Sequence, residues 1–349
     1  MLNVLVLQRE SNVALGVPSL SVSARITEVL EYLESLGKLQ FAVISENESS
    51  ASNGVNWADV LILSKHSSSK ALELVVQARK RGIRVIYDID DWIFSFPKYS
   101  GGKLHEKTKL IQEIIRQSNV VTVANVTLLN KVGIIYPEIK LVLVPNGMWV
   151  EKYIDPQKNV AVEALPPRII FTNADLLKVQ SAKEVLLTAL QIFFLRNTDY
   201  ILDFYGDPFP EMFSLPFLHF TNRMPYSDYM RALVSGRYQF GITPLGGVED
   251  PESTEFNRCK NPSKYLNYGA ARVPAIYSRS PIYTEIINDK ENGILINNDL
   301  DEWVGALELL ATNVSLRNNI RVAAFDDVIN NYHISSSAKM LLDVMTGEC

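Results

Sequence analysis

Short runs of Val, Ile and Leu alternate along this chain with longer stretches whose apolar residues recur every three or four positions. That is the pattern of strand and helix units laid around a mostly parallel sheet. The alternation occurs twice. In the first half it predicts strands at 3–7, 40–45, 59–63, 83–88, 120–123 and 141–144, with helices over about 20–36, 68–81 and 105–117. Pro145, Asn146 and Gly147 then signal a turn, and polar, Pro-punctuated sequence continues to Pro167 with little periodicity. A second series predicts strands at 168–171, 201–205, 217–220, 238–242, 274–277 and 293–296. Its helices fall near 180–196, 226–234, 262–271, 281–287 and 300–311. The expected fold class is α/β, with two Rossmann-like doubly wound domains facing a central cleft. The expected boundaries are 1–150 for the first domain, 151–167 for a linker and 168–349 for the second domain, whose last helix can pack back on the first. Ligands of open α/β sheets bind at the carboxyl ends of the strands, so chemistry is expected in the cleft.

Composition narrows the class of protein. The chain has 349 residues, 47% hydrophobic and 21% charged, too long for one average domain. A net charge of -5 and a pI near 5.6 argue against nucleic acid as a partner, since such proteins carry broad basic surfaces. Cys259 and Cys349 are too few for a disulfide framework or a zinc site, which fits a reducing compartment and gives cytoplasm as the expected location. The opening MLNVLVLQRE lacks the basic region and cleavage site of a signal peptide. No apolar run approaches the ~20 residues that span a bilayer, so any membrane contact is expected to be peripheral.

The most informative stretch is FNRCKNPSKYLNYGAARVPAIYS at 256–278. Asn261 is a good helix N-cap and Pro262 suits the first helical position. A helix starting there offers free N–H groups and the positive end of its dipole to an anion, to which Lys264 and Lys260 add charge. A diphosphate fits such a site, with Ser263 in the first turn. Lys264, Asn267 and Tyr268 stand at helical offsets of three and four and can share a face. From these residues alone, an ordinary capped helix with a solvated lysine is an equal reading.

The succession KNPSKYLNYGAARVPAIYS, PIYTEIINDKENGILI and DEWVGALELLATNVSLRNNIRVAA resembles the donor-binding half of the retaining glycosyltransferases called group 1, a family with the GT-B fold. LVLVPNGMWVEKY and YDIDDWIF resemble that family's pre-linker turn and a segment of its N-terminal domain. The resemblance implies a nucleotide-sugar donor held mainly by the second half, a hydroxyl acceptor on a glycan, lipid-linked or protein substrate, and transfer with retention. It implies no cofactor and no metal. It also exposes a departure: the family's two signature glutamates, eight positions apart, fall at Cys259 and Asn267. Asn267 can still bond a ribose hydroxyl, without the strength of a charged acceptor. The family places a diphosphate-contacting basic residue in the loop at 171–183, where Lys178 is the substitute over Lys183, and a glutamate near the donor sugar, here Glu285. Gly206 ends the strand ILDFYG, where a glycine permits close approach of a ligand or simply makes a turn.

In the first half, Asp88, Asp90 and Asp91 follow the strand IRVIY. Strand alternation puts Asp88 and Asp90 on one side, and unpaired buried carboxylates are costly, which places them in the polar cleft with Asp88 as a candidate base. An Asp-x-Asp after an apolar strand is also how single-domain, metal-dependent glycosyltransferases hold a cation and a diphosphate, the rival reading. Gly16 and Arg25 lie in and after the loop RESNVALGVPSLSVSAR, and Lys65 and His66 end the strand DVLILSKH, all candidates to line the cleft toward an acceptor. The basic run Arg79, Lys80, Arg81 and Arg84 suits a helix C-terminus first and an anionic membrane second. Catalysis by Lys264 and Lys178 rests on stabilising charge on a departing diphosphate. The first strand is not followed by G-x-G-x-x-G, which weakens the dehydrogenase class. A non-catalytic partner subunit of the transferase family remains the strongest non-enzyme alternative.

Overall fold

The computed structural model describes residues 1–9, 20–95, 97, 107–155, 163–173 and 176–348. The first half contains β1 (Leu2–Gln8), α1 (Leu20–Val22), α2 (Glu28–Ser35), β2 (Leu39–Ser45), α3 (Ala51–Trp57), β3 (Val60–Ser64), α4 (Ser69–Lys80), β4 (Arg84–Ile89), α5 (Thr108–Gln117), β5 (Val120–Val123), α6 (Val126–Ile135) and β6 (Leu141–Leu143). A π-helical turn, Ser23–Thr27, joins α1 to α2.

The second half runs through β7 (Arg168–Asn173), α7 (Lys183–Arg196), β8 (Ile201–Gly206), β9 (Leu218–Thr221), α8 (Tyr226–Ser235), β10 (Phe240–Thr243), α9 (Pro251–Arg258), α10 (Ser263–Ala270), β11 (Ala275–Ser278), α11 (Pro281–Thr284) and β12 (Ile294–Ile296). It ends with α12 (Leu300–Thr312), α13 (Val314–Asn331) and α14 (Ile334–Thr346).

These strands form two six-stranded parallel sheets, ordered β2-β1-β3-β4-β5-β6 and β12-β11-β10-β7-β8-β9. Their continuous apolar runs reflect burial on both faces, as parallel sheets require. Leu5 and Leu7 of β1 point into a core with α3 to α6, while Val4 and Val6 point into one with α2. In the second sheet Ile169 and Phe171 pack with α7 and α12, and Ile170 packs with α8, α10 and α13.

The chain crosses between the halves twice, and the crossings lie side by side. Met148 N–H donates to Tyr332 O at 2.7 Å, and Ile334 N–H donates to Met148 O at 3.1 Å. A Cβ on Gly147 would stand 2.7 Å from Ile334 Cα, so only glycine fits there. After the second crossing α14 joins the first core through Ile334, Ala338, Leu341, Val344 and Met345. Each fully buried Ile, Leu or Met contributes roughly 1.5–3 kcal/mol, enough to hold this helix away from its own half.

Every expected strand is present within two residues of its predicted bounds. The helices α3, α6 and α9 were not anticipated, nor were the bounds of α13 and α14. One local expectation is wrong. Helix α10 begins at Ser263 with Pro262 as its N-cap and no side-chain cap, so Asn261 does not cap it.

Candidate functional site

The second sheet has the doubly wound order in which β7 and β10 start runs that diverge in opposite directions, and the crevice outside their carboxyl ends is the expected ligand position. Three segments meet at that crevice: the stretch after β7, the loop at 244–250 after β10, and the start of α10. The loop and the stretch are tied together. Gly246 N–H donates to Lys178 O at 2.7 Å, Gly247 N–H donates to Ser181 Oγ at 3.0 Å, and Asn257 Nδ2 donates to Gly246 O at 3.0 Å. A Cβ on Gly246 would lie 2.6 Å from Ser181 Oγ, which explains the glycine.

Three lysines converge here. Lys264, on the first turn of α10, donates to Thr172 Oγ1 at the end of β7 and lies 5.6 Å above the Tyr229 ring. Burial, and secondly the neighbouring Lys178, push its ammonium down to about 7. Lys260 is buried over Phe256, with Nζ 4.4 Å from the ring centroid and 3.4 Å from Asp91 Oδ2. Burial lowers it to about 8, with Asp91 pulling upward and Lys178 and Lys65 pulling downward. Lys178 lies on the 3-10 turn Leu176–Ala182, and among the described residues no carboxylate stands within ion-pair distance of it. Depressed ammonium groups held together beside an uncapped helix N-terminus form a place for an anion.

The cleft is bridged by short polar contacts. Lys260 meets Asp91, Asn261 Nδ2 donates to Asp90 O at 3.2 Å, and Asn125 Nδ2 donates to Lys260 O at 3.2 Å. Cys259 is buried in the core of the first half, which pushes its thiol up to about 12. A carboxylate at that position would be desolvated at high cost.

Several site expectations are corrected by the geometry. Asp88 does not face the cleft as a base: Arg25 Nε lies 2.9 Å from both of its oxygens, Arg25 Nη2 lies 2.8 Å from Oδ1, and Thr122 Oγ1 donates to Oδ1 at 2.7 Å. Arg25 is equally committed, donating also to Val144 O and Asn146 Oδ1 at 2.6 and 2.8 Å. The pair anchors the π-helical turn to β4. Asn267 is buried and accepts from Tyr226 Oη at 2.8 Å, and the Tyr268 ring fills the core beneath Gly241. The Tyr268 ring thus packs in the core, with its hydroxyl 3.3 Å from Thr172 Oγ1. Glu285 is exposed and paired with Arg258 at 3.2 Å. Gly206 has φ 124° and a Cβ there would lie 1.8 Å from Asn173 O, so only glycine fits at this end of β8.

The remaining residues stand as follows. Asp90 lies 2.6 Å from Lys65; burial opposes its charge, but Lys65 outweighs burial and holds the carboxyl below its ordinary value. Lys65 adopts φ 53°, a left-handed conformation that costs about 1–3 kcal/mol and directs it from the end of β3 toward Asp90. His66 is fully buried, and burial together with Arg9 lowers it to about 3, so the ring is neutral. Ser263 donates weakly to Asn261 O at 3.5 Å. Gly16 lies outside the described residues. Arg79 and Lys80 occupy the last turn of α4, at the amino-terminal edge of the sheet and opposite the cleft. Among the described residues no His, Cys, Asp and Glu group is arranged to hold a metal, and no helix is long and apolar enough to cross a membrane. Sequence reasoning missed Thr172, Tyr226, Tyr229 and the Gly246-Gly247 loop, whose only signal was the pair of glycines after a buried strand.

No family model matches the chain, and no curated protein matches it. Solved structures do. Sucrose-phosphate synthase from Thermosynechococcus elongatus superposes with a TM-score of 0.66 at 9% identity, over 100% of this chain and 99% of that one. HepE of Anabaena, in complex with UDP and glucose, gives 0.63 at 11% identity over 99% and 100%. The fold is GT-B. A TarM variant of S. aureus, in complex with fondaparinux, alpha-GlcNAc-glycerol and UDP, gives 0.60 at 11% identity over 91% of this chain, which spans 58% of that protein. At these identities the likeness concerns the GT-B fold alone.

Proposed function

We propose that this GT-B protein is a glycosyltransferase that moves a sugar from a nucleotide-sugar donor to a hydroxyl acceptor. The observation that carries this reading is the convergence of Lys178, Lys260 and Lys264 at the uncapped start of α10, in the crevice between β7 and β10. As the nucleoside diphosphate leaves, negative charge grows on its phosphate oxygens, and preorganised cations and helix N–H groups stabilise it. Lys264 and Lys178 are the groups proposed to carry that stabilisation, with Lys260 and the Ser263 turn holding the donor. Metal is not needed for this chemistry. The rival aspartate-metal reading is weakened because Asp88 already carries Arg25 and Asp90 already carries Lys65.

Retention at the transferred carbon comes from the family resemblance alone; an acceptor on a glycan, lipid-linked or protein chain in surface polysaccharide synthesis is compatible with it, and the low cysteine count suggests work in the cytoplasm. Asp88, Asp90 and Asp91 each carry a cation, Arg25, Lys65 and Lys260 respectively; Asp91 has the longest of these contacts and is the carboxylate proposed to orient an acceptor hydroxyl. A second reading, a donor-binding partner subunit without turnover, is favoured by the burial of Cys259 and by the Tyr226 bond that occupies Asn267.

Release of nucleoside diphosphate from a panel of nucleotide sugars separates the two. The transferase reading expects slow release from one class of donor, insensitive to EDTA and abolished in Lys264→Ala. Binding without release, under every donor and added glycan, supports the partner-subunit reading instead.

A further inference from the structure

Beside the Asp91–Lys260 bridge, a cavity of about 130 Å³ opens between the halves, lined by Trp92, Ser95 and Lys131 from the first half and by Glu252, Glu255 and Phe256 of α9. Its aromatic wall is held rigidly. Trp92 Nε1 donates to Ser95 Oγ at 2.9 Å, the indole meets the Phe94 ring edge-on at 5.0 Å, and Lys131 Nζ lies 4.4 Å over it. The opposite wall touches the lysine cluster directly, because the Phe256 ring carries Lys260 Nζ at 4.4 Å.

The polar lining is exchangeable. Glu255 lies 3.7 Å from Lys131 and 3.5 Å from Arg258, with its own side chain 48% exposed. Such half-exposed pairs are worth little, so hydroxyl groups can replace them at small cost. Fixed aromatic faces with a few polar groups at the edge suit a ligand that is apolar on its faces and polar around its rim. A pyranose ring has that form: carboxylates accept from its hydroxyls and a lysine donates to them. Lys131 and Arg258 offset the charges of Glu252 and Glu255, so the lining carries no net charge to attract an anionic sugar and suits a neutral one.

We propose that this cavity is the acceptor subsite, binding a neutral pyranose ring of a carbohydrate acceptor between Trp92, Phe256 and the α9 carboxylates. It rests on the transferase reading, and it puts the acceptor where both halves contribute, away from the buried Arg25 and His66.

The test is saturation-transfer NMR on the full chain with methyl glycosides of neutral hexoses and N-acetylhexosamines, and with methyl glucuronide as the anionic probe. The same proteins are melted with and without UDP, GDP, ADP or TDP. At least one neutral glycoside should bind saturably, more weakly by roughly tenfold in Trp92→Ala and measurably more weakly in Glu255→Gln, with the UDP shift retained in both. No binding of neutral glycosides, equal binding in Glu255→Gln and wild type, or preference for the glucuronide overturns the subsite. Glu255→Gln alters a half-exposed side chain, so it decides even where Trp92→Ala fails to fold. A UDP shift without glycoside binding sinks the subsite alone, whereas glycoside binding with no shift from UDP, GDP, ADP or TDP sinks the transferase reading and leaves a sugar site.

Discussion

Lys260 Nζ lies 3.4 Å from Asp91 Oδ2, a cation of the second half resting on a carboxylate of the first. The contact occupies a lysine that faces the proposed phosphate position, so a bound diphosphate and Asp91 compete for the same charge. Asp91→Asn should therefore bind UDP several-fold more tightly than wild type in a titration, at some loss of thermal stability. Weaker binding would mean that Asp91 works with the donor rather than against it.

The Arg25–Asp88 pair predicts a different signature. Both side chains are almost fully buried, and removing one partner of such a pair costs roughly 3–5 kcal/mol because the other charge is left unpaired. Asp88→Asn and Arg25→Met should each lower the urea midpoint strongly, while any protein that still folds keeps its affinity for UDP. Unchanged stability with lost turnover would return Asp88 to a catalytic role.

Lys264 sets a pH dependence. Its value of about 7 means that the free protein loses this charge as pH rises from 7 to 9, so UDP affinity should fall over that range. Lys264→Arg, which stays charged, should flatten the profile. In the absence of ligand the sign for folding is opposite. The unfolded chain keeps its lysine protonated up to about 10.5, so it binds more protons than the folded one above pH 7, and stability rises with pH in that window. Lys264→Met should accordingly raise Tm near pH 6 by roughly 2–3 °C while abolishing tight UDP binding.

Gly206 and Glu285 give a contrast. Gly206→Ala places a Cβ 1.8 Å from Asn173 O at φ 124° and should destabilise by more than about 2 kcal/mol. Glu285→Gln, at an exposed pair, should change stability and UDP affinity by less than about 0.5 kcal/mol. Chemical denaturation of the two variants checks both statements.

The strands were legible because each is an apolar run bounded by turn residues, a local signal. Helix α3 was not, since its sequence ASNGVNW carries an Asn and a Gly that locally read as a turn, while Val55 anchors it under β1 only in the assembled core. The spacing of Lys264, Asn267 and Tyr268 placed them near one another on α10 but could not say which of them the neighbouring elements would bury. Tyr268 went under Gly241 and Asn267 onto Tyr226, leaving Lys264 at the crevice. Arg25 and Asp88 are 63 positions apart, and nothing local links them. The lysine cluster was partly legible because helix starts and strand ends are where anions bind, whereas the Lys260–Asp91 bridge depends on how the halves meet.

Lys178, Lys260 and Lys264 are proposed to hold a nucleoside diphosphate without metal. Calorimetric titration of UDP into wild type and Lys264→Ala at pH 7, with and without EDTA, tests this proposal most directly. One saturable site is expected, unaffected by EDTA and weakened by at least about tenfold, or 1.4 kcal/mol, in the variant. Binding that EDTA abolishes, or that Lys264→Ala leaves intact, would contradict it.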